Sequence, residues 1–275
     1  MRLDSHQHFW EYDPAEYPWI TDRLARIRRS FLPADLEPEL TRAGIDGCIA
    51  VQARQTLDEN RWLLGLSDRY SFIKGVVGWV DLRADDVERY LEPLAEHPKF
   101  VGVRHVAQDE PDDRFLVGKD FLRGISKLKE FDLAYDILIF PKQLPAAIEL
   151  VNHFPEQRFV LDHIAKPLIQ DRIMEPWRAQ IRELAKARNV MCKISGLVTE
   201  ARWDSWRAED FDPYLDIVAE AFGPERLMFG SDWPVCLLAA PYDAVFEIVI
   251  GWLSRKGLNG ARMCGGNCAS FYKVT

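Results

Sequence analysis

Arg2-Leu3-Asp4-Ser5-His6-Gln7-His8 is a short strand-like run that ends in two histidines, where a doubly wound nucleotide-binding sheet would usually place a glycine-rich turn. Side chains at i and i+2 of a strand share a face, so the spacing predicts Asp4, His6 and His8 on one side. Seven more apolar runs rich in Val, Ile and Phe follow: Gly47–Ala53, Phe72–Val80, Phe100–His105, Ala134–Phe140, Arg158–His163, Val190–Ser195 and Arg226–Asp232. Segments of helical period separate them: Asp35–Ala43, Asp58–Asp68, Asp85–His97, Gly118–Phe131, Lys142–His153, Trp177–Arg188, Phe211–Phe222 and Tyr242–Lys256. Strand then helix, eight times over at spacings of roughly 25–45 residues, predicts one α/β domain over residues 1–275, a (β/α)8 TIM barrel. The doubly wound sheet is the alternative, and His6-Gln7-His8 in the place of its phosphate loop counts against it.

Composition bounds the function. A net charge of −8 with no Lys/Arg block argues against nucleic acid, because phosphates call for a clustered basic surface. Arg26-Ile27-Arg28-Arg29 is the one basic cluster and reads as a solvated loop. The N-terminus lacks the pattern of a secretory signal and no apolar run is long enough for a membrane helix, so a cytoplasmic location and no membrane partner are expected. Cys48, Cys192, Cys236, Cys264 and Cys268 have no zinc-ribbon spacing and read as reduced, buried thiols. Oligomeric state is left open.

Charge and imidazole at the ends of apolar strands mark the chemistry. His6 and His8, sharing a face at a barrel mouth, can hold one ion or one water. Asp4 is expected one layer deeper. Asp232, closing the eighth strand in Gly230-Ser231-Asp232-Trp233-Pro234, is the natural general base, and His163 in Leu161-Asp162-His163 could polarise a carbonyl. Of the neighbours Arg104 and His105 one alone can face inward, and Arg104 is favoured as a permanent bidentate donor. Lys166 is a candidate substrate contact. His97 and His153 fall at helix ends on the opposite face and read as structural or exposed. The long connections Phe9–Pro33, Ala107–Val117 and Gly196–Asp210 follow strands, and Trp203 and Trp206 in the last are spaced to share one side of a short helix that caps the mouth.

The motifs Leu3-Asp4-Ser5-His6-Gln7-His8-Phe9-Trp10, Val51-Gln52-Ala53-Arg54, Gly78-Trp79-Val80-Asp81, Arg104-His105, Leu161-Asp162-His163-Ile164-Ala165-Lys166-Pro167, Lys193-Ile194-Ser195-Gly196-Leu197-Val198-Thr199-Glu200 and Phe229-Gly230-Ser231-Asp232-Trp233-Pro234 run from the first strand to the last. On them the chain resembles the amidohydrolase superfamily, in the amidohydrolase 2 branch that holds sugar lactonases and 2-pyrone-4,6-dicarboxylate lactonases. The likeness is nearest to lactonases acting on L-fucono- and L-rhamnono-lactones. The tail Gly265–Tyr272 resembles the family's closing helix, an extra C-terminal one.

The resemblance implies a carboxylic-ester hydrolase of carbohydrate catabolism that opens an aldono-lactone. Asp232 would take a proton from water while Arg104, His6, His8 and His163 stabilise the oxyanion. Metal-dependent members carry a histidine on the fifth strand, and Ala134–Phe140 has none. A binuclear site is therefore not expected. The expectation is no required cofactor, or one weakly held divalent ion, zinc by preference, on His6, His8 and Asp232. Gln7, Gln52, Trp10, Trp79 and Trp233 suit a polyhydroxylated ring, whereas Arg54, Arg83 and Lys166 keep a pyrone dicarboxylate open. Against a lactonase of either kind stand a nonoxidative decarboxylase, which would carry the fifth-strand histidine, and a non-catalytic metabolite-binding barrel, which would be expected to lack one of His6, His8 or Asp232.

Overall fold

The computed structural model describes residues 1–275. Its strands and helices alternate along the chain as β1 Leu3–Gln7, α1 Pro33–Ala43, β2 Gly47–Val51, α2 Leu57–Arg69, β3 Ile73–Gly78, α3 Glu88–Ala95, β4 Phe100–His105, α4 Lys119–Leu128, β5 Ala134–Ile137 and α5 Leu144–His153. The second half continues with β6 Phe159–Leu161, α6 Trp177–Leu184, β7 Val190–Ile194, the short α7 Leu197–Glu200, α8 Asp212–Phe222, β8 Leu227–Phe229, α9 Tyr242–Lys256 and α10 Asn267–Tyr272. Neighbouring strands pair in parallel in the order β1 to β8. The backbone beyond β8 completes the ring on β1, through Asp232 N–H to His6 O at 2.8 Å and His8 N–H to Trp233 O at 2.7 Å. The fold is the α/β TIM barrel that the strand–helix rhythm predicted.

Local chemistry sets several element ends. Thr56 Oγ1 accepts from the Glu59 amide to cap α2, Pro33 opens α1, and α1 and α9 end on Gly44 and Gly257 in left-handed backbone. No helix is long and apolar enough to cross a membrane. All five cysteines are buried and unpaired.

Two apolar layers result from the strand period of two. The outward face of the strands, with Val76, Val103, Tyr135, Leu161 and Phe229, packs against the helices. The inward face contributes Leu3, Ile49, Val77, Ala134, Val160 and Met228, and Phe271 and Tyr272 of α10 close the barrel end where the strands begin. Above that apolar floor the interior turns polar, and there the site begins.

Candidate active site

A bulge decides which β1 side chains face inward. Asp4 pairs with Cys48 and Gln7 with Ala50, so β1 spends three steps where β2 spends two. Asp4 consequently points with Cys48 toward the helix layer, and the expectation that it shares a face with His6 and His8 is corrected. Its carboxylate accepts from the His6 amide at 3.0 Å, the Ser231 amide at 2.9 Å and the Tyr242 hydroxyl at 3.0 Å. Burial nonetheless pushes the Asp4 carboxyl up to about 6. Its role is to tie the end of β1 to the segment that carries Asp232.

Inside the barrel, β4, β5, β6 and β7 send Arg104, Asp136, Asp162 and Lys193 to meet His6, all buried. Lys193 Nζ lies 2.5 Å from Asp136 Oδ2, 3.1 Å from Asp162 Oδ1 and 3.2 Å from His6 Nδ1. The Tyr272 hydroxyl donates to Asp136 from below, at 2.8 Å to Oδ2. Arg104 Nη1 sits 3.3 Å from His6 Nε2 and 3.4 Å from Asp162 Oδ2, and its Nη2 donates to Gln52 O at 2.5 Å. Burial, with Lys193 next, holds the His6 imidazole well below its ordinary pKa. Gly230 makes room on β8, since a Cβ there would stand 2.7 Å from His6 Cβ.

The end that opens on a cavity lies one step higher. Asp232 Oδ1 is 3.4 Å from His8 Nε2, 3.8 Å from His6 Nε2 and 3.9 Å from His163 Nε2. Burial works to raise the Asp232 carboxyl, yet His163, His8 and Lys166 hold it below the usual carboxylate range. Burial pushes His163 well down and His8 down, so the imidazoles stay neutral around an ionised Asp232. His163 Nδ1 meets Ser195 Oγ at 2.8 Å. His163 and Asp232 both have left-handed backbone, at φ 53° and 57°, a strain of the kind that accumulates at functional sites.

A cavity of about 850 Å³ opens over His8, Arg104, His163 and Asp232. Lys166, Trp203 and Arg54 line it as well, Arg54 paired with Glu16. The other residues predicted to touch substrate lie elsewhere. Gln52 is buried and holds Arg104, through its own carbonyl and through its amide to Arg104 O at 3.3 Å. Trp10 packs among Tyr17, Trp19 and Phe31, and Trp233 between Phe9 and Phe31. Trp79 donates to His105 Nδ1 at 3.3 Å, and His105 points outward, stacked on Phe115 and bonded to Glu110. Gln7 donates to Cys48 Sγ, and Arg83 pairs with Asp81 near the surface. The predicted helix under Trp203 and Trp206 is not formed. Helix α7 ends at Glu200, and Trp206 turns away to donate to Ala239 O at 3.0 Å. Asp136, Asp162, Lys193 and Glu200 were not singled out from sequence. A charge between apolar neighbours in the inward phase of a strand, as in Tyr135-Asp136-Ile137 and Cys192-Lys193-Ile194, is the signal that finds Asp136 and Lys193.

The donors also bear on a metal. His6, His8 and Asp232 each offer one ligand atom, all within 4.8 Å of one another. His8 Nδ1 donates to Val51 O at 2.8 Å, so its Nε2 faces Asp232 as a lone pair. Asp162 Oδ1, ion-paired with Lys193 at 3.1 Å, also lies 3.3 Å from His6 Nδ1 and is the acceptor that ring needs if Nε2 is to ligate. Two imidazoles and a carboxylate with such support fit one zinc ion.

Residues 3–250 match the family model described as amidohydrolase. The chain belongs to the amidohydrolase family. It is 43% identical to an L-fucono-1,5-lactonase of Burkholderia multivorans, over 100% of this chain and 96% of that one, and 39% identical to an L-fucono-1,5-lactonase of Burkholderia ambifaria over the same shares. A solved amidohydrolase structure from Burkholderia multivorans with bound zinc superposes with a TM-score of 0.94 at 43% identity, covering 100% of both chains.

Proposed function

We propose that this amidohydrolase hydrolyses a neutral sugar lactone of the L-fucono-1,5-lactone kind, with Asp232 as general base. The observation that carries the substrate class is the charge of the cavity wall. Its cations are Arg54, Arg104 and Lys166, against the carboxylates Glu16, Asp109, Glu110, Glu200 and Asp232. A pyrone dicarboxylate would face that excess of negative charge, whereas an uncharged polyol ring would not. The full-length likeness to two L-fucono-1,5-lactonases supports the same reading.

In this mechanism Asp232 accepts a proton from water as the water oxygen bonds to the lactone carbonyl carbon. Arg104 donates to the carbonyl oxygen as it becomes an oxyanion. Collapse of the tetrahedral intermediate breaks the bond to the ring oxygen, which leaves as a hydroxyl with the proton returned by Asp232. The Lys166 ammonium favours the ionised Asp232 carboxylate, and His163, held through Nδ1 by Ser195, faces it with Nε2. A zinc ion held by His6, His8 and Asp232 would supply Lewis-acid polarisation of the carbonyl.

The test is a pH-indicator assay of purified wild type and Asp232→Asn on L-fucono-1,5-lactone and on 2-pyrone-4,6-dicarboxylate. Wild type should open the sugar lactone in preference, and the variant should lose ~10²–10⁴-fold in kcat. A variant keeping more than about a tenth of kcat refutes the base assignment. Efficient pyrone hydrolysis without sugar-lactone turnover reverses the substrate class.

A further inference from the structure

We propose that Glu200 and Lys166 act together as the specificity determinant of the cavity, reading neighbouring hydroxyls of a neutral lactone and rejecting lactones that carry a carboxylate. The inference rests on the lactonase reading and names what that site selects.

Both residues are half-buried and line the cavity over Asp232. Of the other enclosed charges of that wall, Asp232 and Arg104 belong to the proposed mechanism, Arg54 pairs with Glu16 and Glu110 with His105. The Lys166 ammonium and the Glu200 carboxylate form no hydrogen bond and no ion pair. The Lys166 ammonium instead lies 5.4 Å from the centre of the Phe140 ring. Opposite charges sharing one wall would ordinarily close on each other.

The backbone keeps them apart. Lys166 is the last of four consecutive left-handed residues, with φ 53° at His163, 48° at Ile164, 61° at Ala165 and 48° at Lys166. Left-handed backbone is strained for an L-residue and worst for a β-branched side chain such as Ile164. The turn is held by Trp177 Nε1–H to Ile164 O at 2.7 Å, by Lys166 N–H to His163 O at 2.8 Å and by the His163 bond to Ser195. Glu200 is placed by a second constraint. It ends α7, which follows Gly196 at φ 64°, and a Cβ on Gly196 would stand 2.7 Å from His163 Nδ1. Both charged groups are thus referenced to the ring that faces Asp232.

An ammonium can only donate and an ionised carboxylate can only accept, while a hydroxyl does both. Neighbouring hydroxyls can therefore accept from Lys166 and donate to Glu200 at once. A substrate carboxylate could satisfy Lys166 but would bring like charge against Glu200 and Asp232. Burial pushes the Glu200 carboxyl up and Lys166 pulls it back, so the lysine supports its partner's charge.

The experiment compares kcat/KM of wild type, Glu200→Gln and Lys166→Met on L-fucono-1,5-lactone and on a galactarolactone, which adds a free carboxylate. Like-charge juxtaposition costs several kcal/mol, so Glu200→Gln should lower the neutral-to-anionic ratio by at least about tenfold, with a gain on the anionic lactone. Lys166→Met should raise KM for the neutral lactone by about tenfold or more. A gain on the anionic substrate is something a merely structural residue would not yield. If wild type opens the neutral lactone but the ratio in Glu200→Gln moves less than about tenfold, or Lys166→Met keeps its KM below that rise, the specificity proposal falls alone. If wild type opens neither lactone, the lactonase reading falls and takes the proposal with it.

Discussion

Replacing Lys193 by methionine removes the one cation that touches both Asp136 and Asp162 while keeping the length of the side chain. Lys193, Asp136 and Asp162 are fully buried, with Nζ 2.5 Å and 3.1 Å from the two carboxylates. Deleting one member of a buried ion pair costs about 3–5 kcal/mol, because the remaining charge has no partner. At about 2–4 °C per kcal/mol for a domain of this size, the melting temperature should fall by roughly 6–20 °C. The pH dependence sharpens the test. Burial already raises the Asp136 carboxyl, and Lys193 opposes that rise while helping to hold Asp162 low. Without the lysine the folded-state pKa of Asp136 climbs further above the unfolded value and that of Asp162 rises, so the variant is relatively most stable at low pH and its deficit grows as pH rises. Thermal melts at about pH 5 and about pH 8 measure this, and adding Asp136→Asn to Lys193→Met should recover part of the loss. A variant melting within about 2 °C of wild type at both pH values, or one with the larger deficit at the lower pH, refutes the reasoning.

Glu59 offers a second pH test: burial pushes its carboxyl up to about 7 although it accepts from the Arg54 amide at 2.8 Å, so its contribution is present below the unfolded value of 4.5 and lost as pH rises through 7. Glu59→Gln should therefore gain on wild type by a few kcal/mol, at ~1.4 kcal/mol per pKa unit, as melts are moved from acid to neutral pH, and a pH-independent difference would sink the argument. Trp203→Ala should raise KM by roughly 3–10-fold, whereas Trp206→Ala, which removes a ring packed on Phe211, should lower the melting temperature with kinetics intact; the reverse pattern would exchange their roles. Prolonged chelation should leave lactone turnover within about threefold, since Arg104 is itself a cationic donor at the carbonyl, and complete loss restored by one equivalent of zinc would overturn that expectation.

The eight strands and the helices between them were legible because apolar period is a local signal, and the elements start within a few residues of where it places them. The strand ends were not. Arg158–His163 shrinks to Phe159–Leu161 and Arg226–Asp232 to Leu227–Phe229, because Asp162-His163 and Gly230-Ser231-Asp232 leave the ladder for conformations that only tertiary bonds to Ser195, Asp4 and His6 sustain. The β1 bulge was invisible for the same reason, since a regular period presumes regular register. Aromatic content misled at Trp10 and Trp233, which are buried, and at the half-buried Trp79: a ring near a strand end announces packing but not which side of the loop it fills. That only one of Arg104 and His105 faces inward was legible, as adjacent strand residues must face opposite ways, but that it is Arg104 is set by the packing of His105 on Phe115 and Glu110.

His6 shows how the interior can serve the reaction whether or not an ion is held. Its Nδ1 lies between a donor, Lys193 Nζ at 3.2 Å, and an acceptor, Asp162 Oδ1 at 3.3 Å. With its proton on Nδ1, the ring donates toward Asp162 and turns a bare Nε2 to His8 and Asp232, the arrangement a ligand set requires. With Nδ1 bare, Lys193 donates to it, and the Nε2 proton points at His8 Nε2, 3.2 Å away. The His8 Nδ1 proton is already given to Val51 O, so that Nε2 is free to accept. Neither tautomer strands a buried nitrogen, and an unpartnered buried polar group is what would make one of them costly. The charged tier of Lys193, Asp136 and Asp162 therefore belongs to the architecture of the site, while Asp232 and Arg104 reach the cavity and, in the mechanism proposed above, act there in both states.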